Sequence, residues 1–204
     1  WSSDVCSSDL TNNSDLNISI NITFTTGAVV QKGTGTVTFD GDLFYNDGVG
    51  GINLGRVVVD PTTTLTSDFT ADSVTILTGD TLDTDGYEMD IAGTMDINGT
   101  LDAASGTDGS STITVGGTWD MTGGLFINTS STVIFDGSTQ AIISDTKSFF
   151  NIQIGGTLSL SLSTSDDLSI DGSLTVNNSA NTTFDISNDI VTMSGTTFDL
   201  TNLD

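Results

Sequence analysis

The stretch TLDTDGYEMDIAGTMDINGTLDA (Thr81–Ala103) decides the fold. Within it Tyr87, Met89 and Ile91 alternate with polar neighbours, as do Met95 with Ile97 and Leu101 with Ala103. Alternation over three to five residues between Gly, Asn and Asp reads as half-buried strand. The spacing adds more. Met89, Met95 and Leu101 follow one another at intervals of six, too tight for hairpins with strands of ordinary length. It suits a solenoid, in which each short strand is one face of a coil and stacks on its equivalent in the next. Three such faces predict a rung of roughly 20 residues.

The same rhythm extends to both sides. Val74 and Ile76 alternate before this segment; Ile113 with Val115, Trp119 with Met121, Leu125 with Ile127, and Val133 with Phe135 do so after it. Ile113 and Trp119 are six apart, as are Leu168 and Leu174, while Phe184, Val191 and Phe198 step by seven. Helical periodicity is nowhere visible, and glycine recurs too often for a long helix. A longer likeness lies on top. TVTFDG (Thr36–Gly41) returns as TVIFDG (Thr132–Gly137), and RVVVD (Arg56–Asp60) matches NIQIG (Asn151–Gly155) in pattern. TLDTDGYEMDIAGTMDIN (Thr81–Asn98) likewise resembles TFDISNDIVTMSGTTFDLTN (Thr183–Asn202). Residues 33–204 thus read as about two copies of a unit of 95–103 residues, cut at both ends, with residues 11–32 a less regular start. The opening WSSDVCSSDL (Trp1–Leu10) reads as a translated sequencing-adapter scar, which places the natural N-terminus elsewhere and is set aside from fold reasoning.

Composition narrows the chemistry. Cys6, the only cysteine, falls in that leader, and there is no histidine. A disulfide framework, a thiolate metal site and histidine acid–base catalysis are therefore excluded. Lys32, Arg56 and Lys147 are the only basic residues against 27 acids, a formal charge of −24. Nucleic acid is excluded as a partner, since phosphate binding needs Lys and Arg. An anionic membrane surface is disfavoured likewise, and no apolar run is long enough to span a bilayer. Glu88 is the single glutamate; the other acids are aspartates, which favour turns because their short carboxylates bond nearby N–H groups. Asp-Gly pairs at 40–41, 47–48, 85–86, 108–109, 136–137 and 171–172 would be type I′ hairpin turns in an antiparallel sandwich, the rival fold. Irregular strand spacing and the lack of a Tyr-corner or Cys signature count against that fold. Pro61, the single proline, is expected at a corner.

STVIFDGSTQAIISDTKSFFNIQIGGTLSLSLSTSDDLSIDGSLTV (Ser131–Val176) resembles the repetitive regions of large bacterial surface and secreted proteins, adhesin-like and autotransporter-passenger-like. The resemblance implies a right-handed parallel β-helix outside the cell, acting as a structural or adhesive stalk that meets polysaccharide or a host or matrix surface. It is a likeness of architecture and carries no activity.

GDTLDTDGYEMD (Gly79–Asp90) is the strongest chemical candidate. Asp80, Asp83, Asp85, Glu88 and Asp90 offer oxygen ligands for calcium, the one cofactor expected here. Its glutamate comes too early for an EF-hand loop, and a solvated acidic turn explains the same residues; Glu88 and Asp90 should share the solvent face. Asp166, Asp167 and Asp171 form a weaker version. No catalysis is expected: a polysaccharide lyase needs a poised base, and the three basic residues are scattered. A glycosidase needs two carboxylates at a set separation, which so many aspartates supply by chance. Threonine-rich PTTTLTSDFTADSVTI (Pro61–Ile76) raises ice binding if its threonines form an outward ladder. Trp119, Phe149 and Phe150 are candidates for stacking on sugars, or else for core filling.

Overall fold

The computed structural model describes residues 15–104, 106, 110–155, 160–164, 167–177, 182–185, 190–195 and 197–199. Among them the strands run in three columns. A nine-stranded sheet stacks Leu16–Ile18, Thr36–Asp40, Arg56–Asp60, Ser73–Ile76, Met95–Ile97, Trp119–Asp120, Thr139–Ile143, Leu160–Thr164 and Thr182–Asp185. A seven-stranded sheet stacks Phe69–Ala71, Met89–Ile91, Thr112–Val115, Thr132–Phe135, Asn151–Ile154, Ser173–Val176 and Thr197–Asp199. The third column holds six strands: Ile22–Phe24, Leu43–Asp47, Thr62–Leu65, Thr81–Asp83, Thr100–Asp102 and Leu125–Ile127. A separate three-stranded sheet takes the same place in chain order: Ser148–Phe149, Leu168–Ile170 and Val191–Met193. Each strand pairs in parallel with its counterpart one coil away. The protein is a parallel β-solenoid with rungs about 21 residues apart. The antiparallel sandwich is ruled out by the parallel pairing.

Register explains the alternation. In the nine-stranded sheet Val37, Val57, Val74, Met95, Trp119 and Ile142 stand one above another. In the seven-stranded sheet Phe69, Met89, Ile113, Val133, Ile152 and Leu174 do the same. Of these twelve side chains none is more than 2% exposed. Burying a side chain of this size stabilises by about 1.5–3 kcal/mol, and a solenoid collects that term rung by rung. Two aromatic clusters lie in the core. Tyr45 packs against Phe69 at 5.1 Å and Phe24 at 6.1 Å between ring centroids. Further along, Trp119 meets Phe126 at 5.1 Å and Phe149 at 5.5 Å. Trp119 and Phe149 are therefore core residues, with no face free for a sugar.

Two expectations change. Phe126, and not Leu125 and Ile127, points inward, in register with Leu101, leaving Leu125 half exposed. The alternation of that strand is correct but its phase is shifted by one, which exchanges the two faces; the larger aromatic ring takes the interior beside Trp119. Second, the likeness at 95–103 residues does not preserve position. Thr36–Asp40 lies in the nine-stranded sheet, whereas its counterpart Thr132–Phe135 lies in the seven-stranded one. Arg56–Asp60 and Asn151–Ile154 differ in the same way, and Thr81–Asp83 moves from the six-stranded sheet to the nine-stranded one at Thr182–Asp185. The related strands thus stand one face short of five full turns apart.

Corners set where the faces meet. Pro61 forms one, after a cis Asp60–Pro61 bond, between Arg56–Asp60 and Thr62–Leu65. At the corner between Thr132–Phe135 and Thr139–Ile143, Gly137 lies so close to Gly116 on the previous coil that a Cβ on it would run into the Gly116 carbonyl. Gln140 ties this corner down: its buried amide donates to the carbonyls of Val115 (2.5 Å) and Gly117 (3.2 Å) and accepts the Gly137 N–H (3.1 Å). Among the described residues three buried polar atoms lack a partner, the Tyr45 hydroxyl, the Trp119 indole nitrogen and the Thr63 hydroxyl, and only the last interrupts an aliphatic ladder. Thr63 stacks between Leu43 and Leu82, fully buried, and its hydroxyl has no partner. A buried unpaired hydroxyl costs about 1–3 kcal/mol. Thr63→Val should therefore raise stability by about 1 kcal/mol and Gly137→Ala should lower it by about 1–3 kcal/mol, both measured by chemical denaturation.

Candidate functional site

The acidic segment 80–90 turns a corner, and the fold disperses it. Asp83 ends the strand Thr81–Asp83, where its Oδ1 accepts the Asp85 N–H at 2.9 Å. That bond holds Asp85 and Gly86 in left-handed backbone, with φ of 45° and 91°, a conformation that glycine and aspartate tolerate best. Asp83 thereby works as a turn-former. Its carboxyl is pushed above the usual range by burial, partly offset by the Asp85 N–H, and then by the charges of Asp102 and Asp85. Asp80 is shifted upward too, by burial and by Asp60 on the previous coil. Glu88 and Asp90 lie on the outside of the seven-stranded sheet, both exposed, as expected. Of the five, Asp83 lies in the six-stranded sheet and Asp90 in the seven-stranded one, while Asp80, Asp85 and Glu88 lie in the connections between strands. Among the described residues no group of three acids is placed to hold a metal ion. Asp166 lies outside the described residues. Asp171 accepts the hydroxyls of Ser148 (2.8 Å) and Ser194 (3.0 Å) on the neighbouring coils, and Asp167 accepts the Ile190 N–H.

Glu88 and Asp90 instead join acids far away in sequence. A groove of about 360 Å³ on the seven-stranded sheet is lined by Asp68, Glu88, Asp90 and Asp136, with Thr70, Thr112 and Thr114 between them. The Glu88 N–H donates to Asp68 Oδ1 at 3.1 Å. Asp136 is held above the usual carboxylate range by burial and then by the Asp90 charge. Gly51 closes one side, from a loop organised by Asp47. The Asp47 carboxylate is buried and accepts the N–H groups of Val49 (3.3 Å), Gly50 (3.0 Å) and Ile52 (2.7 Å). The Tyr45 phenol is driven upward in pKa by burial and then by the Asp47 charge. Asp68 and Asp136 were missed by reading the segment 80–90 alone. The signal was present: Asp68 and Glu88 are one rung length apart.

The basic residues lie elsewhere. Lys32 pairs with Asp72, which also accepts from Asn53 Nδ2 at 3.0 Å; the Lys32 bond is the main reason its carboxyl is lowered. Lys147 pairs with Asp145 at 2.5 Å, and Arg56 donates to the Thr34 carbonyl. Among the described residues no lysine or arginine lines the groove. The threonines expected to form an ice-like array do so for three coils only, as Thr62, Thr81 and Thr100, and the fourth position is Leu125. The adjacent outward column reads Phe44, Thr64, Asp83 and Asp102, too mixed and too charged for a regular water-ordering lattice.

Comparison of the chain with protein-family models, curated proteins and solved structures found no match. The fold is what identifies the chain's class.

Since the acids of segment 80–90 do not converge, calcium should act on this chain as a general counter-ion. Its effect on the melting temperature should survive Asp80→Asn and Asp85→Asn and be reproduced by magnesium. A calcium-selective rise abolished by either substitution would make the segment a genuine site.

Proposed function

We propose that this chain is a structural segment of an extracellular or cell-surface bacterial repeat protein, a stalk or spacer without catalysis of its own. One observation carries this reading. In the nine- and seven-stranded sheets the described inner side chains from Val37 to Ile142 and from Phe69 to Leu174 stack apolar on apolar from coil to coil, while no outward column of the described residues repeats one side chain over more than three coils. A structure that spends its regularity on the interior is built for length and stiffness. Nine strands at about 4.8 Å spacing set a column about 40 Å long within this chain alone. The acidic exterior adds solubility and keeps neighbouring copies apart.

The groove of Asp68, Glu88, Asp90 and Asp136 favours a second reading, a surface that binds or degrades polysaccharide with calcium. It has carboxylates and hydroxyls for hydrogen bonds to sugar, but its aromatic and apolar floor, Phe69 and Met89, is buried. Adhesion to host or matrix surfaces rests on the resemblance to adhesin-like regions.

The test is a binding and hydrolysis screen against linear neutral, acidic and amino polysaccharides, with calcium and with chelator. A stalk segment gives neither saturable binding nor new reducing ends. Saturable binding lost in Asp90→Ala would overturn the structural reading in favour of the groove.

A further inference from the structure

Several aspartates of this chain close strands at corners, and stacking gives that placement a side effect. Asp83, Asp102 and Asp120 each end a strand and each accept the N–H two residues ahead, from Asp85 (2.9 Å), Ala104 (3.1 Å) and Thr122 (2.9 Å). The ladder then sets such aspartates on top of one another. Asp83 is in register with Asp102 in the six-stranded sheet; Asp96 with Asp120, and Asp40 with Asp60, in the nine-stranded one. Adjacent parallel strands lie about 4.8 Å apart, and like charges directly opposite each other destabilise a sheet.

The surroundings do little to neutralise the first two pairs. The Asp83–Asp102 pair is flanked along its column by Thr64 and Ile127, with Asp85 as the further nearby charge. The Asp96–Asp120 pair is flanked by Thr75 and Ile143. Thr75 and Asn98 hydrogen-bond Asp96, the Asn98 Nδ2 at 3.0 Å. The chain's three basic side chains are engaged at Asp72, Thr34 and Asp145.

We propose that these stacked aspartates make the solenoid a proton- and salt-responsive element, tightened by acid and by screening ions and loosened in neutral dilute solution. The direction follows from linkage. Asp83 and Asp96 are both raised, mainly by burial, with the stacked partner's charge adding to it. A carboxyl with a raised folded pKa makes the fold bind more protons than the unfolded chain does. Stability therefore grows as pH falls through that folded pKa. Asp72 and Asp145 are lowered, chiefly by hydrogen bonds from Lys32 and Lys147; their stabilisation is present above the ordinary carboxylate pKa and is lost as pH falls through the folded value. The raised groups titrate first on acidification, so stability should pass through a maximum on the acid side before declining.

Thermal melting of the full chain, followed by circular dichroism, tests this at pH 7 and about pH 4.5, close to the carboxylate range, in low and high sodium chloride. The melting temperature should rise on acidification and, at pH 7, with salt. Asn keeps the oxygen that accepts the corner N–H, so Asp83→Asn and Asp102→Asn isolate the charge. Each should raise the melting temperature at pH 7 by roughly 2–4 °C for every kcal/mol of repulsion relieved. The double variant should gain less than the sum, because neutralising either partner relieves the same repulsion. A melting temperature that falls from pH 7 to the mild-acid condition, or Asn variants that melt no higher than the parent at pH 7, would overturn the proposal. If the acid sample precipitates, the substitution arm at pH 7 decides.

Discussion

Everything in this molecule depends on parallel register between consecutive coils. A single rung offers three strands of two to five residues, too few to enclose a core. The inner side chains become buried only because the next coil places a similar residue above each of them and the backbone hydrogen bonds lock that alignment. Val57 on Val37, or Ile113 on Met89, is buried on two sides by its own column. Register thus couples hydrogen bonding to burial. A slip of one residue would lose both together, by turning every inner side chain outward.

The same register governs the exterior, where it has the opposite effect. Stacking like on like strengthens a column of valines and strains a column of aspartates. Aspartate is nevertheless used at corner after corner, since its short side chain caps the strand end and supports the turn behind it. The Asp83 turn shows both consequences: a bond to Asp85 that shapes the corner, and a carboxylate in register with Asp102. Part of the charge of −24 is thereby a by-product of making corners, as at Asp83, Asp102 and Asp120.

The columns were legible in the sequence because side-chain alternation and a strand interval of six to seven are local properties. Met89, Met95 and Leu101 occupy three different sheets of one winding, as their spacing implies. Phase was harder. In LFI (Leu125–Ile127) either register is apolar, and only the space beside Trp119 selects Phe126 for the interior. The grouping of acids was less legible still. Asp80 to Asp90 are neighbours in sequence, yet a corner lies among them, so proximity along the chain separates them in space. The groove acids are neighbours only through coil length, and that length varies with the corners. Asp68 to Glu88 is 20 residues, whereas the neighbouring column step from Asp90 to Thr114 is 24.

The drift of related strands from one sheet to the next has a geometric outcome. A strand sequence that recurs after 95–103 residues comes back facing a different compass bearing, about a third of a revolution away. Whatever its outward residues offer is presented in a spiral and not as a stripe.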